Sequence, residues 1–421
     1  MSSSSVPARE AAPTATAIIL APAAFVAPPL AVFAPLALAP LLALTALGLL
    51  AADGRQVLLL ARAYRFPATL CAAIAAWAAL TALWSPIPGH SLFEALRFLA
   101  IAAAGFISIA GCALLGHIGR LRTGYALLAG LALALLLLHV ELWSDEAIAH
   151  AIALLLRGKL VQMSLYDRGV TVLVVFVWPA AALLAARRRW LGLALLIAAV
   201  GFTVAAFRSH ASMLGFALAP VAGVLAWRLP RLAIAGFVAA TLLLAFALPV
   251  VAPRGAGIAR IQQDAPMLQP SAIHRLAIWR FVGDRIAQRP LLGWGMDSAR
   301  AIPGGQMEVD TMFPELHLPA TAQVLPLHPH DAALQWRLEL GVPGIALVLL
   351  LIAGALWYAA QRPPGWQRAL IFAYAATAWT VAMLSFGAWQ AWWLSALWLG
   401  TALLLGLGVE PPVVPHRLAQ G

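Results

Sequence analysis

The chain has 421 residues, of which 63% are hydrophobic and only 10% charged, and its mean hydropathy is +0.90. A water-soluble domain carries roughly a quarter charged residues, so this composition excludes an ordinary soluble enzyme, and the apolar content equally excludes disorder. What remains is an all-α fold, a polytopic transmembrane helical bundle. The net charge of +11 is almost all arginine, Lys159 being the only lysine. Membrane proteins gain such a balance by retaining basic residues in cytoplasmic loops, so no nucleic-acid partner is expected. Cys71 and Cys112 both lie in apolar stretches and read as packing residues.

In chain order, residues 1–16 are rich in Ser, Pro and Ala and read as a cytoplasmic tail without a cleavable leader. About twelve apolar runs follow, each long enough to cross a hydrocarbon core as a helix. They cover 17–33, 35–52, 67–84, 98–116, 124–143, 169–186, 190–207, 212–227, 232–252, 333–359, 369–387 and 390–408. The chain thus divides into a first part of the bundle, 17–252, a large loop, 253–331, a last part of the bundle, 332–408, and a second cytoplasmic tail, 409–421. Basic clusters at Arg55/Arg62/Arg65, Arg120/Arg122, Arg187–Arg189, Arg228/Arg231 and Arg362/Arg368 fall in every second loop. Those loops, with both termini, are predicted to be cytoplasmic. The 253–331 loop is then outside, where no cytosolic ATP reaches it. It holds seven arginines and four histidines, His274, His317, His328 and His330. Long loops in compact folds are usually functional. A second outside segment, 144–168, places Ile148, Ile152, Leu155 and Leu156 on one face and reads as a helix lying in the interface.

Within the large loop, Ser271 is predicted to cap a helix that puts Arg275, Trp279, Val282 and Ile286 on one face and stops near Arg289-Pro290. Gly293-Trp294-Gly295 then reads as a turn, not a phosphate loop. Further on, Asp331 is placed to cap the next helix, leaving His330 just outside its N-terminus. The dipole there disfavours imidazolium, and a neutral imidazole is fit to act as a general base. The pair His328/His330 is poor support for zinc, and Glu308-Val309-Asp310 reads as a solvated surface feature, so no metal site is expected. Arg208 ends an earlier span on the outside, where an arginine either snorkels or meets an anion.

The string Arg275…Trp279…Pro290-Leu-Leu-Gly-Trp-Gly295, followed by His330…Leu334-Gln335…Glu339-Leu-Gly341…Gly344, resembles the O-antigen ligase and polymerase family. The likeness is sharpest over 271–344, and it departs from the family at Asp331, where Asn is common, and at Phe207 and Ser209 around Arg208. The resemblance implies a multi-pass inner-membrane enzyme with one large periplasmic loop and no cofactor. Such an enzyme moves a glycan from an undecaprenyl pyrophosphate carrier to lipid A core, an oligosaccharide or another hydroxyl acceptor. It implies Arg275 and Arg208 on the pyrophosphate, His330 as base, and His328, Trp279 and Arg280 as further substrate-binding residues, with inversion and no metal. Repeat-unit polymerisation and protein O-glycosylation share that donor and stay open. A small-anion transporter fits less well, because transporters place charge near the membrane midplane and the polar residues here gather in the loop. A scaffold role in polysaccharide export would tolerate loss of Arg275 and His330.

Overall fold

In the computed structural model, residues 15–155, 164–316, 318 and 322–408 are described. Both predicted tails, apart from Ala15 and Thr16, lie outside the described residues, as do Leu156, Lys159 and His317. The chain begins with α1 (Ala15–Phe33), α2 (Leu38–Ala61), α3 (Arg65–Thr81), α4 (Pro88–Ala113) and α5 (His117–Trp143). A short α6 (Ala147–Leu155) precedes α7 (Ser164–Ala186), α8 (Trp190–Ala206), α9 (His210–Arg228) and α10 (Pro230–Leu242). A π-helical turn, Leu243–Ala247, carries α10 into α11 (Leu248–Val251). The large loop holds α12 (Gly255–Asp264), α13 (Pro270–Gln288) and α14 (Val309–Met312), and the chain closes with α15 (Ala332–Ala360), α16 (Trp366–Leu384) and α17 (Ala391–Gly408). Each predicted span coincides with a helix. By length and composition, nine helical stretches among the described residues can cross a membrane, one of them being α2 and α3 taken together. The fold is an all-α, multi-pass membrane bundle.

Pro22, Pro28 and Pro29 do not interrupt α1, since neighbouring helices in a bundle satisfy the carbonyls a proline frees. α4 starts ten residues before its predicted boundary. Pro88 occupies the first turn, where its missing N–H costs nothing, and the charges of that turn are paired, as described below. α7 is buried along almost its whole length and forms the axis of the bundle. Helices in lipid gain little from apolar burial against one another and rely on close packing and polar contacts. Accordingly Trp178 on α7 donates to Thr377 Oγ1 on α16 at 2.9 Å, and Thr171 and Ser212 meet across α7 and α9 at 3.0 Å. Cys71 and Cys112 are buried and free, as packing residues.

Arginines gather at the end of the bundle away from the loop. Arg231 lies over the Trp357 ring, and Arg368 donates to the carbonyls of Trp227 and Arg362. At the other end the large loop folds on a core of its own. Ile273, Ile278, Phe281 and Val282 of α13 pack with Ile258, Trp294, Val324 and Leu325, and the cluster continues into Leu334 and Leu338 of α15. The loop is therefore a cap seated on the first turns of α15.

Two local expectations are corrected. α13 begins at Pro270, one residue before Ser271, with Gln269 at its N-cap and no capping side chain; proline, with its φ already helical, sets the start. On α6 the buried face is Ala149 and Ala153, with Ile148 and Ile152 half-buried, while Leu155 points outward. The carboxylate of Glu141 fixes that rotation by accepting the N–H groups of Ile148 and Ala149 at 2.8 and 3.1 Å.

Candidate functional site

The family-like glycines build a clasp. Pro343 has no N–H, so a regular α15 would leave the Glu339 carbonyl without a donor. The helix breaks at Gly341 (φ 66°, ψ −157°), a conformation essentially limited to glycine. Val342 N turns to the Leu291 carbonyl at 2.8 Å. The freed carbonyls are taken up from outside the helix: Trp294 N donates to Leu338 O at 2.9 Å, Gly295 N to Glu339 O at 2.8 Å and Trp77 Nε1 to Leu340 O at 2.8 Å. Gly293 (φ 73°) and Gly295 (φ 107°) allow the turn. The Leu-Leu-Gly-Trp-Gly and Leu-Gly-Val-Pro-Gly strings are two halves of one backbone joint, so the glycine-rich turn serves backbone pairing and is not a phosphate loop. A Cβ at Gly341 would stand 2.0 Å from the Leu291 carbonyl oxygen. Gly341→Ala is expected to lower stability by roughly 3 kcal/mol or more, read as a lower unfolding temperature of the detergent-purified protein; an unchanged melting curve would contradict the joint.

The side chain of Glu339 completes it. This buried carboxylate accepts from Asp297 N (2.8 Å), Ala299 N (3.3 Å), Gln335 Nε2 (3.1 Å) and Trp389 Nε1 (2.6 Å). Gln335 Oε1 in turn accepts Ala388 N at 2.8 Å. The loop, α15 and the α16–α17 connection are thus tied at one point.

Above that joint sit the histidines. Asp331 caps α15, its Oδ1 accepting Leu334 N at 2.8 Å, and burial pushes its carboxyl up to about 7. His330 stands just outside the helix with φ 56°. Its Nδ1 lies 2.7 Å from the Ser385 carbonyl. A carbonyl only accepts, so Nδ1 carries the proton and Nε2 bears the lone pair. Nε2 has no hydrogen-bond partner among the described residues. His328 lies with its ring centroid 4.4 Å away and takes the His330 N–H on its Nδ1 at 3.2 Å. Burial pulls His330 down to about 4; the Ser385 carbonyl opposes that shift, and the charges of Arg275 and His274 add to it. Burial, then His330 and three arginines, Arg300, Arg168 and Arg275, take His328 down to about 3. Both rings are neutral at physiological pH.

α13 is pinned beside them. His274 Nε2 lies 2.7 Å from the Gln323 carbonyl, and Trp279 Nε1 donates to the Pro329 carbonyl at 3.1 Å. Arg275, on the same helix, is half-buried and makes no hydrogen bond or ion pair among the described residues. Burial lowers its pKa below the ordinary arginine value, and the nearby Asp167 works against that shift. The structure therefore brings Arg275, Trp279, His328 and His330 together. Arg208 lies at the α8–α9 turn, exposed, with φ 52° and no side-chain partner among the described residues. Its neighbour Ser209 donates to Asp167 at the start of α7, which holds the turn at this end of the bundle. Arg280 is engaged by Asp284 one turn along α13. Glu308 and Asp310 are both exposed.

Two features escaped the sequence. Arg168 was not singled out in the sequence; its guanidinium lies 5.7 Å from the centre of the Trp392 ring. His90, Glu94 and Asp297 bring one donor atom each within 4.8 Å, the kind of set that can hold a metal ion. Their separation of some two hundred positions hid them. Here His90 Nε2 lies 2.7 Å from Asp297 Oδ2, Arg97 pairs with Glu94, and Arg300 sits 3.3 Å from Asp297. Two arginines already balance two carboxylates, so the cluster works as an ionic latch between α4 and the loop.

The class of this multi-pass bundle with its folded loop follows from its likeness to known proteins. The family model described as O-antigen ligase matches residues 195–349. A Rickettsia felis protein named "Putative polysaccharide ligase" is 30% identical over 347 residues, 80% of each chain. Similarly named proteins of Rickettsia conorii and Rickettsia prowazekii are 30% and 29% identical over 298 and 343 residues, covering 70% and 80% of this chain and 69% and 80% of their own. The chain belongs to the O-antigen ligase family and is an enzyme, a ligase-like glycosyltransferase.

Proposed function

We propose that this protein transfers a glycan from an undecaprenyl pyrophosphate carrier to a hydroxyl acceptor, a sugar of lipid A core or of another oligosaccharide, at the periplasmic face of the inner membrane. Both termini are then cytoplasmic, and the 253–331 loop carries the chemistry. The observation that supports this most is the pairing of Arg275, half-buried and unpartnered among the described residues, with a neutral His330 whose Nε2 is free. An arginine left unpaired at a membrane boundary is costly unless an anion meets it. A planar guanidinium matches phosphate oxygens and keeps its charge.

In this reading Arg275, with Arg208 from the α8–α9 turn, holds the diphosphate and stabilises it as it departs. His330 Nε2 accepts the proton of the acceptor hydroxyl as that oxygen attacks the anomeric carbon. The new C–O bond forms as the bond to the phosphate oxygen breaks, so the anomeric configuration inverts. The leaving group is already an anion, so neither an acid catalyst nor a metal is needed. His328 and Trp279 line the acceptor side, with Arg280 farther along α13. The carrier's tail has a place as well: an apolar cavity of about 300 Å³ lies between α4, α10 and α15–α17, lined by Ala332, Trp336, Trp389 and, deeper, Leu356 and Phe237. Its upper wall starts two residues beyond His330.

The test is transfer in proteoliposomes from a synthetic polyprenyl-pyrophosphate glycan to core oligosaccharide. Product with inverted anomeric configuration, formed equally well in EDTA, is expected, and Arg275→Ala should lower the rate at least roughly a hundredfold. Retention of configuration, loss of activity in EDTA, or full activity in Arg275→Ala would overturn the reading.

A further inference from the structure

Arg168 is a second half-buried arginine at this end of the bundle with no hydrogen bond or ion pair among the described residues. The residues before it are fixed. Tyr166 donates to the buried Glu141 carboxylate, and Asp167 accepts from Ser209. That locks the first turn of α7 and aims the next side chain toward α17, where the guanidinium meets the Trp392 face. Trp392 stands edge-on to Phe386, with centroids 4.7 Å apart. Phe386 follows Ser385, the residue whose carbonyl holds His330 Nδ1. Arg168 is thus linked through two aromatic rings to the segment whose carbonyl holds His330. Its charge is felt by His328, as is that of Arg275. Arg168 makes no hydrogen bond among the described residues, so its five N–H donors remain open.

We propose that Arg168 joins Arg275 and Arg208 as a third arginine of the diphosphate site, with Trp392 supporting the Arg168 guanidinium so that its N–H groups face the phosphates. This rests on the donor reading above, yet its test does not need turnover. A stacked, pre-oriented arginine loses little freedom on binding, and an isolated lysine could not replace the planar fork. Asp167, between the arginines, keeps them from repelling each other while the site is empty of donor.

Inorganic pyrophosphate is the probe, titrated against the full-length protein in nanodiscs of zwitterionic lipid, with thermal stabilisation as the readout. Arg168→Ala and Arg275→Ala should each weaken pyrophosphate binding roughly tenfold or more, Arg168→Lys should fall between, and His330→Ala should bind as wild type does. Trp392→Leu, which keeps the charge but removes its support, should weaken binding by a smaller factor. In nanodiscs with phosphatidylglycerol the wild-type difference from Arg168→Ala should persist. Its disappearance there would assign Arg168 to a lipid headgroup instead, and wild-type pyrophosphate affinity in a folded Arg168→Ala or Arg168→Lys would overturn the proposal. If pyrophosphate binds as expected but no glycan is transferred, the anion site stands and the transferase reading fails separately.

Discussion

His330→Ala is expected to reduce transfer by roughly 10²–10⁴-fold, the range associated with losing a positioned general base, while the protein still inserts and purifies as a monodisperse species. The side chain is small and sits above the joint, not within it, so stability should change little. The pH dependence is more discriminating. Arg275 and His274 on α13, His328 and Asp331 on its own loop segment, and the Ser385 carbonyl from the α16–α17 connection all face or flank this imidazole. Burial dominates, the Ser385 carbonyl opposes it and the charges of Arg275 and His274 add to it, which puts the pKa near 4. Activity needs the neutral ring. The imidazole's contribution to kcat/KM should therefore hold down to about pH 5.5 and fall as pH drops through 4, so that any limb near 7 belongs to the adjacent Asp331 and persists in His330→Ala. An ordinary exposed histidine would lose activity near its usual pKa of about 6.5. The donor, a diphosphate diester, stays ionised throughout and adds no limb of its own. A limb at 6.5 that vanishes in His330→Ala would show a solvated, unshielded base. A profile unchanged by the substitution would remove His330 from the chemistry.

Glu339→Ala is expected to have the largest effect on stability. It strands four donors, Asp297 N, Ala299 N, Gln335 Nε2 and Trp389 Nε1, in a buried place. Each orphaned donor costs about 1–3 kcal/mol, so a loss on the order of 4 kcal/mol or more is expected, seen as a collapse of the unfolding temperature in detergent or as aggregation on gel filtration. Glu339→Gln keeps the volume but turns an amide NH₂ toward donors, so it should lie between. This carboxylate touches no proposed substrate atom. Its influence on catalysis runs through the α16–α17 connection, because Trp389 and Ala388 are held by the same hub that fixes the chain three residues after Ser385. A Glu339→Ala protein with the wild-type melting curve would show that the loop is seated by something else.

The bundle was legible because lipid imposes one requirement on every span, a continuous apolar run of helical length. Boundaries failed where charge was locally neutralised: α4 looked ten residues shorter than it is because His90, Glu94 and Arg97 read as extramembrane, whereas their pairing with Asp297, with one another and with the Trp389 carbonyl keeps them in the helix. The Asp331 cap was readable because capping is local, whereas the neutral state of His330 comes mainly from burial, which the sequence does not display. The role of Gly341 was not readable, since it depends on Pro343 freeing a carbonyl that a segment fifty residues upstream then fills. Arg275 was found through its place in the family-like string. Arg168 was missed because nothing in Asp167-Arg168-Gly169 distinguishes a guanidinium seated on a distant tryptophan from one resting at the lipid surface. Ser271 was given a capping role on type alone, and the proline before it had already started the helix.

The account rests on a division of labour between a guanidinium that binds the donor and an imidazole that activates the acceptor. The most direct measurement is donor affinity and single-turnover rate on the same samples of Arg275→Ala and His330→Ala. The account predicts weakened donor binding in Arg275→Ala, and near wild-type donor binding with a slowed chemical step in His330→Ala. Equal loss of binding in both, or slowed chemistry with unaltered donor affinity in Arg275→Ala, would contradict it.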